Sequence, residues 1–155
     1  MVDPSSLITC YILNKLTDKK IVFKTIPEEV SESYGATWDA TDVRGRSAPY
    51  YGFAGNESRT VSYSITLHAD YCDNLKQTVK DLKGLVYPKY SGSIVIPPYC
   101  YVKFGAMVAM TAIVNSVSVT WSGTLIEGAD YYSTAEVSIE FTELRTGKIP
   151  SATSF

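Results

Sequence analysis

The stretch MTAIVNSVSVTWSGTLIEGADYYSTAEVSIEFTEL, residues 110–144, decides the fold. Its first half places Ile113, Val117, Val119 and Trp121 on one face of an extended strand, interrupted by Asn115. Its second half places Ala135, Val137, Ile139 and Phe141 on one face, with Glu136, Ser138 and Glu140 between them. A period of two sends successive side chains to opposite faces, so both halves predict half-buried antiparallel strands. Glu127, Gly128, Ala129 and Asp130 supply the turn, and the whole reads as a long β-hairpin.

Outward from this hairpin the chain stays β-like. TVSYSITLHAD, residues 60–70, turns Val61, Tyr63, Ile65 and Leu67 one way and Ser62, Ser64, Thr66 and His68 the other. SIVIP (93–97) and CYVKF (100–104) are strand-like and broken by Pro97 and Pro98. LITCYIL (7–13) and KKIVFKTI (19–26) flank the turn-rich NKLTD and predict an opening hairpin that Pro27 ends. One helix is expected within residues 70–88, capped by Asp70 or Asp73, with Leu75, Val79, Leu82 and Val86 as its apolar stripe. Gly84 weakens its last turn, and Pro88 stops anything beyond Tyr87. Together these elements predict a mainly β protein, an antiparallel β-sandwich or barrel with one covering α-helix. A single domain over residues 1–155 is expected, with a polar tail, RTGKIPSATSF, at 145–155.

Composition narrows the function classes. Hydrophobic residues at 45% against 19% charged describe a globular chain with a real core. A net charge of -2 gives no basic footprint for nucleic acid. The most apolar run, FGAMVAMTAIV, falls well short of the roughly 20 residues that span a bilayer. MVDPSSLITC lacks a basic n-region and a long apolar core, so synthesis and folding in the cytoplasm are expected. Cys10, Cys72 and Cys100 are odd in number and irregular in spacing, which predicts buried, reduced thiols rather than a disulfide framework or metal pair.

The search for chemistry turns up little. His68 is the single histidine, and a zinc site needs more ligands than it offers. A structural or edge hydrogen-bonding role is expected for it. Glu28 and Glu29 follow a proline and read as loop residues. Glu136 and Glu140 share a strand face four residues apart, on the order of 13 Å, without a lined cleft for glycoside hydrolysis. GRSAPYYGFAG has no phosphate-cradling glycine spacing. The reading is a non-enzyme, with no catalytic, cofactor-binding or metal-binding residue expected and no cofactor.

Residues 32–59, ESYGATWDATDVRGRSAPYYGFAGNESR, ask for a different explanation. They have almost no apolar periodicity, yet they hold Trp38, Tyr50, Tyr51 and Phe53. Disordered segments are poor in aromatics. Tyr, Trp and Arg are enriched at protein interfaces, so a self-association surface is expected. Aromatics on a β-sandwich loop also fit stacking on a pyranose ring, and a host-facing carbohydrate-binding sandwich is the alternative from another class.

Several strings together resemble one family. VFKTIPEEVSESYGATWDATDVRGRSAPYYGFAGNESRTVSYSITLHAD (22–70) is similar to the opening of tube-like baseplate proteins of contractile injection systems. Members tend to show an F…P.E…S…W run, a small Gly/Ser/Pro segment and an RT.S.S…F strand. LKGLVYP with IPPYCYVKFG resembles their helix, paired prolines and following strand, and residues 112–144 resemble their closing hairpin. The likeness covers residues 21–144, and the order and spacing of the strings carry it more than any one motif.

The resemblance implies the tail-tube fold and a ring, typically of six copies, that joins the central spike or hub to the tail tube. The implied role is structural, in the baseplate of a contractile phage tail or a related injection machine, with the tail-tube protein itself as the alternative within the class. Implied partners are further copies of the chain, the spike or hub protein, a tail-tube or tube-initiator protein and baseplate wedge proteins. No membrane partner is implied, DNA enters only as passing cargo, and the implied location is the virion. The chain reaches Phe155 without the LysM-like segment many members carry, so the expected stations are hub ring, tube initiator or LysM-less adaptor. In this reading residues 32–59 are the intersubunit segment. Trp38, Tyr50, Tyr51 and Phe53 anchor in the adjacent copy, and Arg44, Arg46 and Arg59 pair with acids such as Glu136 or Glu140 across the joint.

Overall fold

The computed structural model describes residues 10–24, 27–128 and 130–145. The expected strand ends at 7–9 and 25–26, Ala129 of the turn, and residues 146–155 of the tail lie outside the described residues. In chain order the elements are β1 (Cys10–Asn14), β2 (Lys19–Val22), β3 (Glu29–Ser33), β4 (Ala36–Thr41), β5 (Tyr50–Asn56) and β6 (Thr60–His68). There follow α1 (Leu75–Gly84), β7 (Lys89–Ser91), β8 (Ile94–Ile96), β9 (Cys100–Phe104), β10 (Val108–Ile126) and β11 (Tyr131–Glu143).

Seven strands form one sheet in the order β2-β1-β9-β10-β11-β6-β3, and every neighbouring pair is antiparallel. One face of this sheet makes the core. Ile12, Val61, Ile65, Val102, Phe104, Val137 and Phe141 are among its buried side chains. The opposite face carries mostly Ser, Thr, Lys, Glu and Tyr. That division is what period-two alternation demands of a sheet with one wet side.

The sheet is curled hard. β6 and β9 stand three places apart in the strand order, which in a flat sheet separates them by about 14 Å. Their rings nevertheless meet edge to face, with Tyr63 and Phe104 centroids 4.5 Å apart. The β1–β9 side and the β11–β6 side are therefore opposed walls of one core. The curl stops short of a closed barrel, because β2 and β3 do not pair. The link between them holds Pro27, which has no amide hydrogen to give a ladder.

The helix covers this core, packing against β2, β10 and β11. Two details differ from the expected helix. Its N-cap is Asn74, whose Oδ1 accepts from the Gln77 amide at 3.1 Å, rather than Asp70 or Asp73. Leu75, Val79, Leu82 and Leu85 are buried, whereas Val86 is exposed. The helix ends at Gly84, and the Leu85 amide bonds back to Leu82 at 3.2 Å. That tightened last turn brings residue 85 inward in place of residue 86.

A bulge corrects the long hairpin in the same way. The β10–β11 register shifts between Val114 and Ser116, and one extra residue reverses the facing of everything beyond it. Val114 therefore joins Val117, Val119 and Trp121 against the core, while Ile113 is exposed. The bulged Asn115 donates through Nδ2 to Thr142 Oγ1 at 2.6 Å and to Glu140 Oε1 at 3.3 Å. Glu29, expected in a loop, opens β3 and pairs with Ser64 on β6. SIVIP contributes β8, but to a separate two-stranded ribbon with β7 rather than to the main sheet.

Candidate functional site

Residues 34–57 form an arm standing on the body. Among the described residues β4 and β5 pair only with each other, as a separate two-stranded sheet. Every residue of β4 is exposed, and in β5 only Gly55 is even half-buried. Trp38, Tyr50, Tyr51 and Phe53 are each more than half exposed, at 56, 56, 66 and 59%. A ribbon of two strands is marginal by itself in water and needs a packed face to persist.

Register fixes how the aromatics are displayed. Trp38 is opposite Phe53, Ala40 opposite Tyr51 and Thr41 opposite Tyr50. Opposed residues share a face, so Trp38, Ala40, Tyr51 and Phe53 make one apolar face. Trp38 and Phe53 meet edge to face at 5.2 Å. Tyr50 looks the other way, with the Arg46 guanidinium 4.0 Å above its ring. Arg44 is exposed in the turn at the arm's tip, next to Gly45 at φ +86°. That left-handed backbone suits glycine and sharpens the turn.

The arm's base is tied down. The Glu57 amide bonds to the Gly35 carbonyl at 2.9 Å. A Cβ on Gly35 would meet the carboxylate end of the exposed Glu57 side chain, which would have to swing aside. Arg59 is nearly buried, with its Nη2 3.2 Å from Glu32 Oε1 and its guanidinium 5.7 Å from the centre of the Tyr34 ring. Among the described residues Arg59 Nε and Nη2 have no hydrogen-bond partner, so the pair with Glu32 acts as a charge contact. Arg59 thus serves this chain's own arm, holding the end of β3 to the start of β6.

The two carboxylates expected at the joint belong to the seven-stranded sheet of the body, not to the arm. Glu136 and Glu140 stand on the outer face of β11, where Glu136 accepts from Ser64 Oγ at 3.4 Å and Glu140 from Asn115. Glu140 borders an open groove of about 310 Å³ with Glu29, Ser31, Ser62, Ser64 and Ser138. The structure thus brings Trp38, Tyr51 and Phe53 together, sets Tyr50 and Arg46 behind them, and places Arg59 and the two glutamates elsewhere.

The remaining chemistry-bearing groups are built into the fold. Cys10 and Cys100 are buried free thiols, and Cys72 is half-buried. Burial pushes the Cys100 thiol up to about 12 and raises Cys10 as well, so both are inert as nucleophiles at neutral pH. His68 Nδ1 accepts from the Asp70 amide at 3.2 Å, a local turn contact. Among the described residues there is no cluster of three or more His, Cys, Asp or Glu side chains placed to hold a metal ion. Nor is any helix among them long and apolar enough to cross a membrane.

Sequence reading missed one further surface. The β7–β8 ribbon turns through Gly92, at φ +62°, the backbone that a two-residue hairpin turn starting with glycine requires. It exposes Tyr90, Ile94 and Val95, with Tyr87 and Tyr99 at its two ends. Only the Ser-Gly-Ser sequence between Tyr90 and Ile94 announces it. Compared with models of known protein families and with curated proteins, the chain matches none.

Proposed function

We propose that this chain is a structural subunit that closes into a ring by laying its arm on the adjacent copy. The supporting observation is the arm itself: a two-stranded ribbon whose apolar face, Trp38, Ala40, Tyr51 and Phe53, is exposed, with nothing among the described residues to cover it. Burying large aromatics is worth roughly 1.5–3 kcal/mol for each side chain removed from water, and such residues dominate interface energetics. Repetition around a closed ring covers every arm with identical contacts and leaves none unmatched.

The resemblance over residues 21–144 gives this subunit its proposed setting: the baseplate of a contractile phage tail or related injection machine, where the ring joins spike or hub to tail tube. A ring of six is the proposed assembly, and the virion its location. The mild net charge of -2 suits a conduit that must not trap a polyanion. Carbohydrate binding is less well supported, since Trp38 and Phe53 are inclined at 70° and Tyr50 lies on the opposite face. Rings so disposed offer a pyranose no flat platform.

The test is the double variant Trp38→Ala with Tyr51→Ala. The proposal expects a folded monomer that no longer assembles. Assembly at wild-type yield would remove the arm from the joint.

A further inference from the structure

Outside the arm, the outer face of the curled sheet is electrically polar. Lys20 on β2 and Lys103 on β9 face outward, and Lys15 follows β1. Lys20 Nζ lies 4.3 Å over the Tyr11 ring and Lys15 Nζ 6.0 Å from the Tyr101 ring. The two tyrosines are themselves 6.2 Å apart, so this wall is a knob of paired rings flanked by ammonium groups. On the other side, Glu136 and Glu140 on β11 and Glu29 on β3 face outward. Between them run Ser62, Ser64 and Ser138, lining the open groove of about 310 Å³.

These walls point in opposite directions. Tyr63 of β6 and Phe104 of β9 touch across the core, so the outer side chains of the same strands look away from each other. A symmetric two-fold contact through either wall would set lysine on lysine or glutamate on glutamate. Like-charge juxtaposition costs several kcal/mol and suppresses wrong pairings. A head-to-tail contact sets ammonium groups and tyrosine hydroxyls, which donate, against carboxylates and serine hydroxyls, which accept. Heterologous contacts of this kind are what generate rings or filaments.

We infer that the Tyr11–Tyr101 wall, with Lys15, Lys20 and Lys103, docks on the serine-lined groove between Glu29 and Glu140 of a second copy of this chain. This contact deepens the ring reading and rests on it. It gives the joint a direction, which the arm's apolar face alone does not. It also assigns Glu136 and Glu140 to lysines of the neighbour in place of the arm's arginines.

The experiment uses two charge-reversed proteins, Lys20→Glu with Lys103→Glu, and Glu29→Lys with Glu136→Lys. Each alone is expected to associate at least about tenfold more weakly than wild type in sedimentation velocity at low salt. An equimolar mixture regains assembly, because each reversed wall then meets its complement. A single chain with all four reversals also regains it, which shows that the substitutions do not unfold the protein. Raising the salt toward 1 M weakens wild-type association as the screening length shrinks to about 3 Å. Reversed proteins that assemble like wild type would overturn this contact while leaving the arm-mediated ring standing. Loss of assembly that neither the mixture nor the four-fold reversal restores would overturn it too. A wild-type chain that never associates would overturn both.

Discussion

Tyr63 shows how single residues set this fold. It stacks on Phe141 at 5.5 Å, meets Phe104 at 4.5 Å and approaches Phe23 at 6.4 Å, joining strands from both walls through one ring. Phe104 and Phe141 are fully buried around it. Phe141→Ala is therefore expected to cost about 3–5 kcal/mol, read from urea unfolding as a lower midpoint at unchanged slope. The buried thiol of Cys100 adds a pH signature. Its folded-state value of about 12 lies above the ordinary 9.0, so the unfolded chain gives up its proton first as pH rises. Stability is fully present below about 9 and falls as pH climbs toward 12. Tyr63, pushed well above its ordinary value by burial, acts in the same direction. The urea midpoint should drop between neutral pH and about pH 10.5, and Cys100→Ala should flatten that drop. A midpoint indifferent to alkali would contradict the burial of these groups.

At the scale of elements, what is half-buried was legible and what is exposed on both sides was not. Residues 60–68 and 131–143 alternate because one face meets the core, and both appear as β6 and β11. The helix likewise showed through Leu75, Val79 and Leu82. Ile113 and Val86 misled because a bulge and a tightened helix end change the facing by one residue, and neither device has an apolar signature. The strands of the arm were hard to read for another reason: the alternation is only two positions long in each, Trp38 with Ala40 and Tyr51 with Phe53, and no core lengthens it. Only their aromatics marked the segment as a surface. Compared at a dilution where the wild type is also monomeric, the Trp38→Ala, Tyr51→Ala double variant should melt within about 2 °C of it, since neither side chain packs on the core. Arg59→Ala should act on the arm's base, leaving Glu32 without its charge partner. Limited proteolysis should then cut residues 34–57 faster while β6 and β11 stay protected. Unchanged cleavage would show that the Gly35–Glu57 contact alone holds the arm.

The whole molecule is a curled body with projecting hairpins, and its exposed apolar residues concentrate on those projections. Monomers rarely leave so many large side chains in water unless they mark a contact. The arm, the β7–β8 ribbon and the oppositely charged walls each suit a subunit that is complete only among its copies. The measurement that bears most directly on this claim is native mass spectrometry over a concentration series, with negative-stain images of the same samples. The account predicts a discrete closed oligomer, a hexamer with a central hole, that the Trp38→Ala, Tyr51→Ala variant fails to form. A chain that remains monomeric up to the highest concentration reached, with no rings on the grid, would contradict it.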